Sequence, residues 1–117
     1  MRKLARLMAF VMAALLPVQA FAAFECDVKI KSVLVYANGN VNVLHTGRGD
    51  YTVVCNLNSN WGTVSPTTCG MWTAVMLGAK KRDATVQFYF SGAGSCSTLG
   101  TYGSAAVPEY VGEITAP

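Results

Sequence analysis

The chain has 117 residues, 52% of them hydrophobic and 13% charged, which is too apolar for a disordered segment and long enough for one domain. Nine Lys and Arg against six Asp and Glu give a formal charge of +3. Arg2, Lys3 and Arg6 supply that excess from the very start of the chain, so it says nothing in favour of a nucleic-acid partner, and none is expected.

Those three bases precede an uncharged apolar run, Leu7 to Val18, and Ala20-Phe21-Ala22 fits an A-x-A cleavage pattern. Residues 1–22 therefore read as a secretory signal peptide cut after Ala22. The run is shorter than the ~20 residues of a membrane helix, and no second apolar segment follows, so no membrane span is expected after cleavage. Glu25 before Cys26 does not suit a lipoprotein signal. Residues 23–117 remain as a single domain of about 95 residues, with Lys29, Lys31, Arg48, Lys80, Lys81 and Arg82 balanced by Glu25, Asp27, Asp50, Asp83, Glu109 and Glu113. The location expected is periplasmic or secreted. There, the four cysteines Cys26, Cys55, Cys69 and Cys96 read as two disulfides. Their spacings of 29, 14 and 27 contain no C-x2-C pair, so a structural zinc site is not favoured and neither metal nor cofactor is expected.

Asp27 to Ala37 is strand-like, with Val28, Ile30, Leu34 and Tyr36 on one parity, and Val33 and Val35 make its second half apolar on both faces, as in a strand covered on two sides. Asn38-Gly39 marks a type I′ hairpin, and Asn40 to His45 returns. Thr46 to Asp50, with two glycines, is a second turn, and Tyr51 to Leu57 a third strand showing Tyr51, Val53, Cys55 and Leu57 on one face. An Asn-rich connection containing Trp61 leads to Ser65-Pro66, an N-cap and N1 pair. The helix that follows runs to Arg82. Cys69, Trp72, Val75, Met76 and Ala79 form its inward stripe, which Met71 and Leu77 widen. Lys80-Lys81-Arg82 suits its C-terminal dipole. Ala84 to Phe90 alternates as a fourth strand with Val86, Phe88 and Phe90 inward. Ser91 to Val107 is a Gly-, Ser-, Ala- and Thr-rich loop of a length that tends to be functional or mobile. Pro108 to Ile114 ends the domain as an edge strand.

The order β-β-β-α-β-β, mainly β with one helix, is that of an OB-like five-stranded barrel. In such a barrel strand one pairs antiparallel with strand four, which brings Cys26 near Cys96 and leaves Cys55 for Cys69. That pairing is preferred over the other two connectivities, each bridge contributing roughly 3–5 kcal/mol.

The run CNLNSNWG, the helix, and ATVQFYFSG resemble the middle of the B subunits of secreted AB5 toxins of the subtilase-cytotoxin and typhoid-toxin type. The resemblance spans Tyr51 to Ser91. It implies an OB-fold, non-enzymatic lectin that binds cell-surface glycans, though no sugar-binding position carries over, and Cys69 and a Cys26–Cys96 staple depart from the pattern. The VYANG hairpin, the CNLN turn and the TYG tail are also similar to small uncharacterised exported bacterial proteins.

Catalytic constellations are thin. His45 with Asp50 and nearby serines is the one candidate for nucleophilic chemistry, but a lone histidine at a strand end is more often a satisfied polar residue. Six scattered acids single out no glycosidase pair. Arg48-Gly49-Asp50 matches an adhesion tripeptide, and turn glycines explain it equally well. The polar and aromatic loop residues Asn56, Asn58, Asn60, Trp61, Thr101 and Tyr102 fit sugar recognition, with aromatic faces for stacking and amides and hydroxyls for ring hydroxyls. The competing reading has Trp61 closing one end of the barrel and the asparagines satisfying turns. The expectation is a non-enzymatic exported binding module, a glycan- or surface-binding subunit able to form a homo-oligomer. The alternative is a periplasmic protein-binding factor such as an immunity protein or inhibitor.

Overall fold

A computed structural model describes residues 22–115; the expected signal peptide, Ala22 apart, lies outside the described residues. Five antiparallel strands form one sheet in the order β3-β2-β1-β4-β5. They are β1 (Ala23–Val35), β2 (Asn40–His45), β3 (Tyr51–Asn56), β4 (Thr85–Ser91) and β5 (Tyr110–Ile114). One helix, α1 (Pro66–Arg82), lies between β3 and β4, and a single 3-10 turn, Cys96–Thr98, between β4 and β5. The described residues are thus mainly β with one helix, in the order read from the sequence.

β1 is the spine. Its first half, Ala23 to Lys29, pairs with β4 and its second half, Ile30 to Val35, with β2. Two irregularities let the long strand serve both. The β1–β2 register slips between Ile30 and Ser32, which bends a strand and moves later side chains to the other face. The second half of β1 is not covered on both faces as expected: Val33 packs on the core, while Leu34, Val35 and Tyr36 are 40%, 53% and 41% exposed. A second slip between Val41 and Asn42 sets Val53 opposite Asn42 and Cys55 opposite Val41. It splits the face expected for β3: Val54 and Cys55 join the core cluster and Val53 does not.

α1 covers the inner face and touches β1, β5, β3 and β4. Ser65 accepts from Thr68 N at its N-cap, Pro66 opens the first turn, and Lys80, Lys81 and Arg82 occupy the last, where the carbonyl ends favour cations. Cys69, Trp72, Met76 and Ala79 are buried as expected, with Thr73 added; the Thr73 hydroxyl donates to Cys69 O at 2.7 Å. Met71 and Leu77 do not widen the stripe. They are 64% and 50% exposed, because a single sheet face covers only a narrow side of the helix. The core closes with Cys26, Val28, Ile30, Val86, Phe88, Phe90 and Val111.

Both disulfides have the preferred connectivity. Cys26–Cys96 joins the start of β1 to the 3-10 turn, and Cys55–Cys69 joins the end of β3 to the first turns of α1, with Cα separations of 5.6 and 5.5 Å. They fit an oxidising compartment. No helix among the described residues is long and apolar enough to cross a membrane.

One feature of the expected barrel is absent. β3 and β5 end the sheet order without pairing, so the OB-like arrangement stays open along that seam. The chain before β5 takes the place beside β3: Tyr102 forms a parallel bridge with Thr52, Tyr102 N donates to Tyr51 O and Val53 N to Tyr102 O, both at 3.1 Å.

Candidate functional site

The edge of β3 and the two loops meeting there bring together part of the expected polar and aromatic set. The β3–α1 loop is pinned locally by an isolated bridge, Trp61 N to Val64 O at 2.9 Å and Val64 N to Trp61 O at 3.0 Å. Trp61 lies half-buried against the core cluster, and its Nε1 is buried with no acceptor among the described residues. The β4–β5 loop docks on it. A β-carbon placed on Gly103 would sit 4.0 Å from Trp61 Cη2, and one on Gly62 would sit 3.2 Å from Val107 Cγ2.

Tyr102 stands out on this surface. It is 50% exposed and has a positive φ of 52°, a conformation few non-glycine residues adopt without strain. Its backbone is nevertheless fixed by the two bonds to β3. Thr101 beside it is half-buried, and its carbonyl accepts from Ser104 N at 3.2 Å and Ser104 Oγ at 2.8 Å. The result is an exposed phenol on a rigid backbone, with Trp61 lying against the next residue, Gly103.

The asparagines divide. Asn56 is a buried junction. Its Nδ2 donates to Asn38 O at 3.2 Å and to Asn40 Oδ1 at 2.7 Å, and its Oδ1 accepts from Asn58 N at 2.7 Å and Ser59 N at 2.9 Å. Every capacity of its amide goes to joining the hairpin tip to the loop after β3. Gly39 makes that junction fit: its φ is 93°, and a β-carbon there would lie 2.7 Å from Asn56 Oδ1. Asn58 is exposed and lies against this same hairpin turn, its Cγ 2.8 Å from that β-carbon position. Asn60 is exposed at the loop tip before Trp61.

His45 is only 1% exposed. Its Nδ1 accepts from Gly47 N at 3.1 Å and Arg48 N at 3.3 Å, and its ring stacks on Phe88 at 5.2 Å. Burial, reinforced by the Arg48 charge, lowers its pKa to about 4. Nε2 then carries the proton in the neutral ring, without an acceptor among the described residues. The adhesion-like tripeptide is tied down as well: Arg48 Nε donates to Leu99 O at 2.6 Å and Asp50 Oδ1 accepts from Tyr51 N at 2.7 Å.

Two further features were not read from the sequence. On the other flank of the β4–β5 loop is a cleft of about 200 Å³ bordered by Phe24 and several serines and threonines. The loop's length and composition were its only signal. On the outer face of β1, β4 and β5, Gln87 Nε2 donates to Glu25 Oε2 at 3.1 Å and Asp27 Oδ1 at 2.9 Å, and Tyr110 Oη donates to Gln87 Oε1. Beside them the Tyr89 and Tyr110 rings lie parallel at 5.2 Å. Strand alternation foretells that side chains of β1 and β4 share this face, but not that they meet.

No family model, no curated protein and no solved structure matches the chain.

Proposed function

We propose that the protein is a non-enzymatic exported binding module that recognises glycans through the surface formed by Tyr102, Trp61, Thr101 and the exposed Asn60, with Asn58 at its margin. The observation that carries this reading is Tyr102. An exposed aromatic ring is held on a left-handed backbone by two hydrogen bonds to a sheet edge. Strain kept in place by surrounding structure is characteristic of binding sites, and a pre-ordered aromatic face loses little entropy on stacking against a sugar. A non-enzymatic role is supported by His45, which is buried with Nδ1 occupied, and by the absence of free thiols among the described residues. The test is a glycan array probed with the exported protein, with light scattering to establish its assembly state. Binding to a defined set of glycans supports the reading; a blank array and no carbohydrate response in solution contradict it.

The alternative, a periplasmic protein-binding factor such as an immunity protein or inhibitor, draws on the outer sheet face. There two carboxylates, a glutamine and a tyrosine pair lie next to β5, the free edge of the sheet, and free strand edges are sites of partner addition. Recovery of one stoichiometric protein partner, lost on Tyr110→Ala and indifferent to Tyr102→Gly, would favour it.

A further inference from the structure

The cleft on the far flank of the β4–β5 loop has a chemistry of its own. Its walls include the Phe24 ring and Leu99, and its rim carries Ser91, Ser95, Thr98 and Ser104. Phe24 is immobilised: its ring stacks on Phe90 at 4.8 Å, and the Gly94 backbone approaches so closely that a β-carbon would lie 2.8 Å from Phe24 Cε1. The Cys26–Cys96 bridge ties the 3-10 turn bearing Thr98 to the β1 strand bearing Phe24. The cleft is therefore built on fixed elements.

Its hydroxyl groups are oriented. Ser91 Oγ donates to Glu109 Oε1 at 2.9 Å. Ser104 Oγ donates to Thr101 O at 2.8 Å. The Thr98 hydroxyl is within reach of Ser95 O at 3.3 Å and of Ser95 Oγ at 2.7 Å, a contact in which either hydroxyl can donate. The hydroxyl hydrogens of Ser91, Thr98 and Ser104 thus have acceptors inside the protein, while each oxygen keeps a lone pair free to accept. Among the described residues no charged side chain lines the space, the Glu109 carboxylate lying behind the Ser91 hydroxyl that bonds it. A ligand entering here must bring hydrogen-bond donors, an apolar face for Phe24 and no net charge, since an ion would be left without a partner. The volume of about 200 Å³ falls below the roughly 300 Å³ at which pockets for drug-sized ligands begin, so it admits one ring.

We propose that this cleft is a binding site for a single neutral pyranose ring, the ring lying on Phe24 and its hydroxyls donating to Ser95, Thr98 and Ser104. It is a second site, separate from the Tyr102 surface and independent of the reading given to that surface.

The test is two-dimensional amide NMR of the labelled, exported protein titrated with methyl α-glucopyranoside, methyl α-mannopyranoside and methyl β-galactopyranoside, with glucuronate as the charged counterpart. At least one glycoside is expected to move the amides of Ser95, Thr98 and Ser104 along one saturable curve in the millimolar range. Glucuronate is expected to bind at least about tenfold more weakly, its carboxylate having no partner. Ala106→Trp, which fills the cleft, should abolish the shifts. If Ala106→Trp does not fold, Thr98→Val and Ser104→Ala each remove an acceptor and should weaken binding several-fold. The inference is overturned if no glycoside shifts these amides, if glucuronate binds equally, or if the filled or acceptor-deleted variants bind unchanged. Shifts confined to Trp61 and Tyr102 would overturn the cleft and leave the Tyr102 surface standing.

Discussion

His45 spends its Nδ1 lone pair on the amides of its own turn and stacks its ring in the core, so its protonation is a cost to the fold. Its pKa is lowered from 6.5 to about 4. Between those values the unfolded chain binds the proton and the folded one does not, so stability is complete above about pH 6.5 and is lost as pH falls toward 4. The integrated loss is about 3 kcal/mol. In urea titrations, the stability advantage of the native protein over His45→Gln should shrink by roughly that amount between pH 7 and pH 4; a constant difference would show that burial does not govern this ring. Asn56 offers a second check at the same scale. Asn56→Asp keeps the Oδ1 acceptor but replaces the Nδ2 donor with a carboxylate oxygen facing Asn38 O and Asn40 Oδ1. It should cost about 2–3 kcal/mol, visible in the urea midpoint. A change under half of that would mean the amide is not the tie between hairpin and loop. The sequence marks Asn56 as polar and adjacent to a turn, but nothing in it separates this satisfied junction from the exposed Asn58 and Asn60. That distinction is made by Gly39, seventeen positions away in the chain.

At the scale of elements, the two disulfides do different work. Cys55–Cys69 spans 14 residues and Cys26–Cys96 spans 70. Loop-closure entropy assigns them about 3 and about 4 kcal/mol. Replacing both cysteines of one bridge by alanine should therefore cost more for Cys26–Cys96, measured by denaturant unfolding; the reverse order would show that the short bridge carries native packing beyond chain entropy. Their connectivity was legible because strand order fixes which ends meet. The helix was legible too: Ser65-Pro66 at its start, the Cys69, Trp72, Met76 and Ala79 stripe, and three bases at its end all have local physical causes. What was not legible were the register slips at Ile30/Ser32 and Val41/Asn42. A bulge leaves no mark in the alternation it interrupts, so the apolar run Val33 to Tyr36 reads as covered on both faces although Leu34, Val35 and Tyr36 are exposed. Met71 and Leu77 misled for a related reason, since helical spacing cannot say how wide a partner surface is.

At the scale of the molecule, the sheet stays open because the loop before β5 occupies the β3 edge. The sequence carries the strand count and the length of that loop but cannot say where the loop docks. The docking turns a long flexible segment into a platform presenting Tyr102 on one flank and the cleft on the other. Amide hydrogen exchange should show Val53 and Tyr102 protected alongside the β2–β3 ladder; exchange at the rate of exposed loop amides would mean that the platform does not hold its shape in solution. The Tyr102 surface as a pre-ordered glycan site is tested most directly by one comparison, calorimetric titration and thermal unfolding of the native protein and Tyr102→Gly with a glycan bound by the native protein. Glycine adopts the positive φ without strain. The variant is predicted to unfold at the same temperature or higher and to lose binding by at least about tenfold, or about 1.4 kcal/mol. A variant that binds the glycan as tightly as the native protein would contradict the account.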